Sequence, residues 1–311
     1  MPSGAKTLIE ISKTMPEGMD KGIIETYALA YHPLMAMPMQ SAIGGIFKWN
    51  IEDTLPHTTG FTRAVNADFT ATFGKKQPFN ATAKIYGGKV QIDRYLAAVD
   101  PSQVAYDRIG QVKAKAYGAT KDIFEGAGGN SMLGANHYFD NVEIFNTQTV
   151  NAGTASIGAV VTTDMMDELI SKVNVVPGRT YIYTTDAVER RLMKLSRGAN
   201  VSGDTSYQMR YSKNEWGYWQ GDYAGIPIIS LKDGKGANLL SATQGDGSSS
   251  TVYCITYGDE MFTGFQLGGN VALDLKDGTN YNYFVIEHYM GVAPCAIRCM
   301  ARLRYVSDAI A

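Results

Sequence analysis

Cysteine is scarce: only Cys254, Cys295 and Cys299 occur in 311 residues. So few thiols cannot staple a fold. The opening MPSGAKTLIEISK also lacks the continuous apolar core of a secretion signal, so the three read as reduced thiols in a cytosolic setting. Long apolar runs are missing too. The most apolar early stretch, residues 23–39, is interrupted by Glu25, His32, Pro33 and Pro38, which excludes a membrane-spanning helix there. Charge of one sign is not in excess. Lys and Arg (28) nearly balance Asp and Glu (30), leaving a formal net charge of −2. A dedicated polyanion binder carries a basic surplus, so any contact with nucleic acid should be weak or local.

Catalytic signatures are equally thin. There is no Gly-x-Ser-x-Gly elbow, no His-Glu-x-x-His, no phosphate-binding loop and no Cys-x-x-Cys. The four histidines, His32, His57, His137 and His288, are dispersed. Cys295 and Cys299 are the best metal candidates, with Cys254 and His288 as conceivable partners. The segment reads as a strand, however, where positions four apart lie ~13 Å from each other, too far to share one ion. Buried structural thiols are the favoured reading. Asp164, Asp167 and Glu168 could pose as paired carboxylates, but acids in a first helical turn are explained by the helix dipole. No catalytic residue, cofactor or metal is therefore expected, and the chain reads as a non-enzyme.

What is present is a pattern of periods. Residues 1–45 carry four prolines and six methionines. They read as an extended arm that finds a surface on its own chain or on a neighbour, or else as a leader that packs locally, with a short helix near 21–31. From Phe47 to Leu96 the period is two. Phe61, Val65, Ala67, Phe69, Ala71 and Phe73 alternate with Thr62, Asn66, Asp68, Thr70 and Thr72, and Arg63 is the one charge on the apolar side. Gly74–Pro78 reads as a turn and Gly87-Gly88 as a turn or bulge. About 50 residues of ribbon result, and a two-stranded ribbon needs packing from a body or another subunit.

A long helix follows over residues 100–126, opened by Asp100 and Pro101 and stopped by Gly126. Val104, Ile109, Val112, Ala116, Ile123 and Phe124 should face inward, and Arg108, Lys113, Lys115 and Lys121 outward. Downstream, Thr163–Val173 reads as an amphipathic helix, Thr180–Thr184 as a strand and Asp186–Gly198 as a helix. The basic residues of that last helix fit a solvated face better than a nucleic-acid face. Tyr207–Tyr211 and Gly225–Leu231 read as strands, Lys232–Ser250 as a mobile loop, and five strands close the chain: 251–257, 264–267, 271–275, 281–289 and 296–306.

This order of elements resembles the major capsid proteins of tailed bacteriophages, the HK97-fold family. The phrases RAVNADF, FGKKQPF, Tyr223–Ile229, Tyr257-Gly258-Asp259, Phe262-Thr263-Gly264, Glu287–Gly291 and Ala301-Arg302-Leu303 are similar to stretches of that family. The resemblance spans essentially the whole chain. It implies an α+β, HK97-like capsid fold with an N-terminal arm (1–45) and an extended β-ribbon loop (46–98). A peripheral domain (99–160) would carry the spine helix, a mainly axial domain would cover 161–250, and strands shared between the two would fill 251–311. It also implies self-assembly into hexamers and pentamers of an icosahedral head around double-stranded DNA, hence a virion location after assembly in a bacterial host's cytoplasm. Expected partners are copies of itself, a separate scaffolding protein, a portal, a decoration protein, and packaged DNA touched weakly, with no membrane. Phe61, Arg63, Phe69, Phe73, Lys75 and Lys76 in the ribbon, with Arg108 and Lys113 on the exposed helix face, are the expected inter-subunit contacts. An encapsulin-like bacterial compartment shares the implied fold. A soluble α+β enzyme or binding protein is the alternative from another class.

Overall fold

The described residues form a six-stranded sheet, a seven-stranded sheet, a two-stranded ribbon and one long helix among shorter ones. The computed structural model describes residues 6–7, 31–54, 65–66, 68, 73–99, 101–154, 157–199, 209–213, 219–232, 236–241, 249–268, 271–276 and 281–307. In chain order these form β1 (Lys6–Thr7), α1 (His32–Ala36), β2 (Pro38–Ser41), β3 (Ile46–Thr54), β4 (Lys75–Thr82), β5 (Lys84–Asp93), α2 (Arg94–Val99), α3 (Pro101–Glu125) and α4 (Ala135–Asn141). Next come β6 (Thr149–Asn151), α5 (Thr163–Ser171), β7 (Thr180–Thr184), α6 (Asp186–Ala199), β8 (Met209–Lys213), β9 (Trp219–Tyr223) and β10 (Ile226–Ser230). The chain closes with β11 (Ser249–Thr256), β12 (Phe262–Gln266), β13 (Val271–Lys276), β14 (Tyr281–Pro294) and β15 (Met300–Ser307).

The six-stranded sheet is built around β14. Along one edge β5 pairs antiparallel, from Tyr281↔Asp93 to Met290↔Lys84. Along the other edge β13 and then β12 follow one another. Beside β12 lies β2, parallel, and β1 pairs with β2. This decides where the described part of the N-terminal region belongs: Leu34, Met37 and Met39 are buried in their own chain's core. Unbranched methionines fill the irregular space that Gly264 leaves between β2 and β12. The expected helix near 21–31 and the cap at Asp100 lie outside the described residues.

The seven-stranded sheet runs β6-β15-β11-β7-β10-β9-β8 and is buried on both faces at its centre, with every residue of β11 buried. Alternation divides the work. Tyr183, Tyr253 and Ile255 join Phe124 of α3 in one core, whereas Ile182, Val252 and Cys254 join Met166 and Leu169 of α5 and Val188 and Leu192 of α6 in the other. Because β10 is parallel to β7, the chain must cross over between them, and α6 with the β8–β9 hairpin makes that crossing. The β9–β10 hairpin turns on Ala224 and Gly225, both at positive φ, as a two-residue loop of this twist requires.

Three expectations change here. Lys75–Pro78 is not a turn: it starts β4 and pairs back to Thr54–Asn50. Gly87 and Gly88 do not break the chain either but lie within continuous β5. A Cβ on Gly87 would sit 2.6 Å from the Ile286 carbonyl, and one on Gly88 would collide with the Lys115 side chain crossing from α3. The two-stranded part of the ribbon therefore ends at Thr82, since β5 joins the body and residues 94–99 are helical. Asp93 starts that helix by accepting a 2.7 Å bond from the Tyr95 amide, a capping signal within the period-two reading.

The long helix matches its expected span but rotates its seam. Val112, Ala116, Ala119, Ile123 and Phe124 are buried, while Ile109 is 47% exposed. Small Ala116 and Ala119 let α3 approach the sheet closely. Tyr86 of β5 pins it there, donating to Asp122 Oδ2 at 2.7 Å and accepting from the Met132 amide at 3.0 Å. Gly291 of β14 serves a similar close approach, because a Cβ there would strike the fully buried Phe265 ring. Gly291→Ala should therefore cost about 1–3 kcal/mol through overpacking. Urea unfolding measures this directly, and an unchanged midpoint would show that the ring can yield.

Candidate assembly surfaces

The ribbon stem is anchored by aromatic stacking. Phe265 of β12, Phe47 and Trp49 of β3 and Phe79 of β4 form a continuous stack with centroid spacings of 5.1, 5.8 and 5.8 Å. Trp49, Ile51 and Ala81 are buried by it, and Lys48, Asn50 and Glu52 alternate onto the exposed face. Period two thus gives the stem one face committed to the body and one to solvent. Farther along, apolar side chains stand without cover among the described residues: Val65 is 91% and Phe73 90% exposed.

Of the expected contact residues, Phe61, Arg63 and Phe69 lie outside the described residues. Phe73, Lys75, Lys76 and Lys113 are exposed. Lys76 meets Glu52 across the stem at 3.3 Å, an exposed pair that contributes little to stability. Arg108 is not on an exposed helix face. It is half-buried, and its guanidinium lies 4.9 Å over the Phe284 ring of β14. Position 108 is four residues before Val112 and so shares the buried stripe; the long side chain buries its stem and keeps its charge over an aromatic face. Reading charge as outward missed this. The sequence reading also passed over Tyr95 and Val99 on α2 and Tyr106 on α3, which are 74%, 62% and 72% exposed.

Among the described residues no group of three or more His, Cys, Asp or Glu side chains could hold a metal. Cys295 and Cys299 are separated not by strand but by the helical turn Ile297–Cys299 that precedes β15. Cys254 and Cys299 are buried, and burial pushes the Cys254 thiol up to about 12, far from a reactive thiolate. Arg302, 3% exposed on β15, is held by Asp140 and Asn136 of α4 and by Thr149. Burial alone would raise the Asp140 carboxyl, but the Arg302 hydrogen bond and the charges of Arg302 and Arg304 outweigh it and hold the group below its ordinary value. The network ties α4 to the sheet and is structural.

One sizeable cleft, about 940 Å³, opens beside the stem. Phe47–Glu52 of β3 form one wall; Asn174, Asp259, Glu260 and residues 295–298 form the other. Its ionic side chains balance: Lys48, Lys76 and Arg298 against Glu52, Asp259 and Glu260. Cys295, also in its lining, is pushed up to about 12 by burial and by the charges of Asp259 and Glu260, far from a reactive thiolate.

No family model and no curated protein matches the chain in sequence. Solved structures do match in fold. The SrpI encapsulin of Synechococcus elongatus PCC 7942 superposes with a TM-score of 0.63 at 12% identity, covering 95% of this chain and 92% of its own. The capsid of a native GTA particle gives 0.58 at 10%, covering 95% and 94%, and the capsid of cyanophage A-1(L) gives 0.59 at 12%, covering 86% and 90%. Each match spans at least 86% of this chain and 90% of the other, and the chain therefore has the HK97-like capsid fold.

Proposed function

We propose that this chain is a shell subunit, the major capsid protein of a tailed phage, which assembles into hexamers and pentamers of an icosahedral head around double-stranded DNA. The observation that carries the reading is the ribbon: its stem is locked to the body while Val65 and Phe73 beyond it are almost fully exposed. A projecting arm of this kind gains burial only on an adjacent molecule. At ~25 cal/mol per Å², a few hundred Å² of apolar surface per contact supplies several kcal/mol before association entropy is subtracted. Head-to-tail repetition of one such contact closes rings. The net charge of −2 suits a wall that confines DNA without gripping it. Scaffolding, portal and decoration proteins would be separate chains.

An encapsulin-like compartment is the second reading, favoured by the superposition on the SrpI shell. The contents separate them. Negative-stain microscopy of the purified protein should show closed particles, and particles from the native source should carry nuclease-protected DNA under the phage reading or a protein cargo under the other. A monodisperse monomer at all concentrations would sink both.

A further inference from the structure

α3 holds two glycines that nothing around them among the described residues requires. At Gly87 and Gly291 a neighbouring atom excludes a Cβ; at Gly110 and Gly118 a Cβ would meet nothing within 4 Å, and neither has a positive φ. Glycine inside a helix is destabilising unless it serves a close approach. The helix is bare on the same side. Tyr106 is 72% and Ile109 47% exposed, and Lys113 and Ala114 are exposed with them. Tyr106, Gly110, Lys113 and Tyr117 recur at intervals of three and four and so share one stripe. At Tyr117 the stripe is met by Tyr31, whose ring packs edge-on with centroids 6.1 Å apart. Past Tyr117 the helix enters the core, with Ile123 and Phe124 buried, so the bare part lies on its N-terminal side.

The chain itself supplies an occupant. Residues 8–30 lie outside the described residues, and both of their ends are held on the body: Thr7 pairs with Pro38, and Tyr31 lies on Tyr117. A segment of this length with both ends held goes out and comes back, which leaves about half of it for the return. As a helix, ~11 residues reach ~17 Å, the length of α3 from Tyr106 to Tyr117. Residues 21–30 fall within the helix expected from the sequence, and there Ile23 with Tyr27 and Ile24 with Ala28 stand four apart, an apolar side for such a helix. Charge agrees. Between residues 8 and 30 Glu10, Glu17, Asp20 and Glu25 outnumber Lys13 and Lys21, whereas the exposed charges of the stripe are Lys113 and Lys121. We infer that residues 21–30 of the same chain lie along the bare stripe of α3, parallel to it and ending at Tyr117, with Gly110 and Gly118 giving the close approach. The N-terminal arm is thereby committed to its own subunit, and an apolar stripe is kept from meeting a like stripe on another molecule. None of this requires a shell, since the contact lies within one subunit.

Limited trypsin digestion of the unassembled subunit tests this at the Lys21–Gly22 bond. Gly110→Trp puts an indole on the stripe, where a Cβ meets no neighbour, and should unseat the segment while leaving the far-ultraviolet spectrum of the body unchanged. Proteolysis follows the population of the open form, so cleavage after Lys21 should be about tenfold slower in the parent than in the variant. Equal rates, whether both fast or both slow, overturn the inference. So does protection that appears only in assembled particles, which would put the segment on a second copy, or only after another polypeptide is added. Should Gly110→Trp not fold, hydroxyl-radical footprinting of the parent decides. Tyr95 and Tyr106 are 74% and 72% exposed, so radicals label them alike on a bare helix. Labelling of Tyr106 should be at least fivefold weaker than that of Tyr95, and equal labelling overturns the inference. A subunit that shows this protection yet forms no particle removes the shell reading alone.

Discussion

Replacing residues 55–74 by Asn-Gly should give a subunit that folds like the parent and builds no shell. The join is dictated by register. Thr54 and Lys75 are opposite partners at the end of the stem, so two residues of type Asn-Gly close the hairpin in the turn that matches its twist. The anchoring contacts described for the stem survive: the aromatic stack, Ile51 at 1% exposure and Ala81 at 5%. The described residues removed, among them Val65 and Phe73, are exposed and contribute nothing to the subunit's core. Thermal unfolding of the variant should fall within a few degrees of that of the dissociated parent. Light scattering and microscopy should show no particles at concentrations where the parent assembles fully. Shells of normal yield would mean that the arm is not the element that binds neighbours, and an unfolded variant would mean that it belongs to the core. A deletion reaching to Lys84 would not make this distinction, because it removes β4 and with it Phe79 and Ala81.

The order of elements was legible because each period is long and clean. The Thr180–Thr184 strand, the helix from Asp186 and the long helix are found where their spacing places them, because strand alternation, a capping pair and a Pro start are local signals. The misreadings share one cause: a residue type was given its local meaning where a tertiary contact decided. Gly87 and Gly88 read as punctuation, yet Gly87 lies where the Ile286 carbonyl leaves no room for a Cβ, and Gly88 lies under the crossing Lys115 side chain. Arg108 read as solvent-facing, yet a ring four residues' stripe away gives a guanidinium somewhere to lie. Lys75–Pro78 read as a turn from Gly, Lys and Pro, but a proline facing outward from a two-stranded ribbon costs its ladder nothing. The candidate contact surface was legible only in outline. Alternation says that one face of the ribbon is apolar; it does not say how much of that face its own chain covers, and Trp49 and Phe73 fall on opposite sides of that divide.

Between pH 6.5 and pH 4 the dissociated subunit should lose a large part of its stability, and two histidines should account for most of the loss. Burial holds both the His32 and the His288 imidazoles down to about 4. His32 is packed edge-on to Tyr181 at 4.4 Å with Nδ1 3.0 Å from the Tyr183 hydroxyl, and His288 sits in β14 with Nε2 3.4 Å from Gln266 Oε1. Neither has a carboxylate among those partners to favour the charged ring. In the unfolded chain an imidazole takes its proton near 6.5, so between that value and 4 the unfolded state binds protons that the folded state refuses. The contribution of each ring is complete above pH 6.5 and drains away as the pH falls, to a limit of about 3 kcal/mol per ring near pH 4. Against a typical domain stability of 5–15 kcal/mol that is decisive. Two carboxyls work in the opposite sense: burial raises Glu125 and Glu189, so their folded forms bind protons more readily and offset part of the loss. Asp140, held low by Arg302 and Arg304 against the cost of its burial, adds to the loss only below the ordinary carboxylate range. Urea titrations from pH 7.5 to 4.5 should show stability falling by up to about 1.4 kcal/mol per pH unit for each histidine in its window. His32→Phe and His288→Gln should each flatten that slope by roughly one proton, and the double variant should leave only the carboxyl contributions. A slope that survives both substitutions would mean that other groups carry it and that these rings bind their protons equally in the folded and unfolded chain.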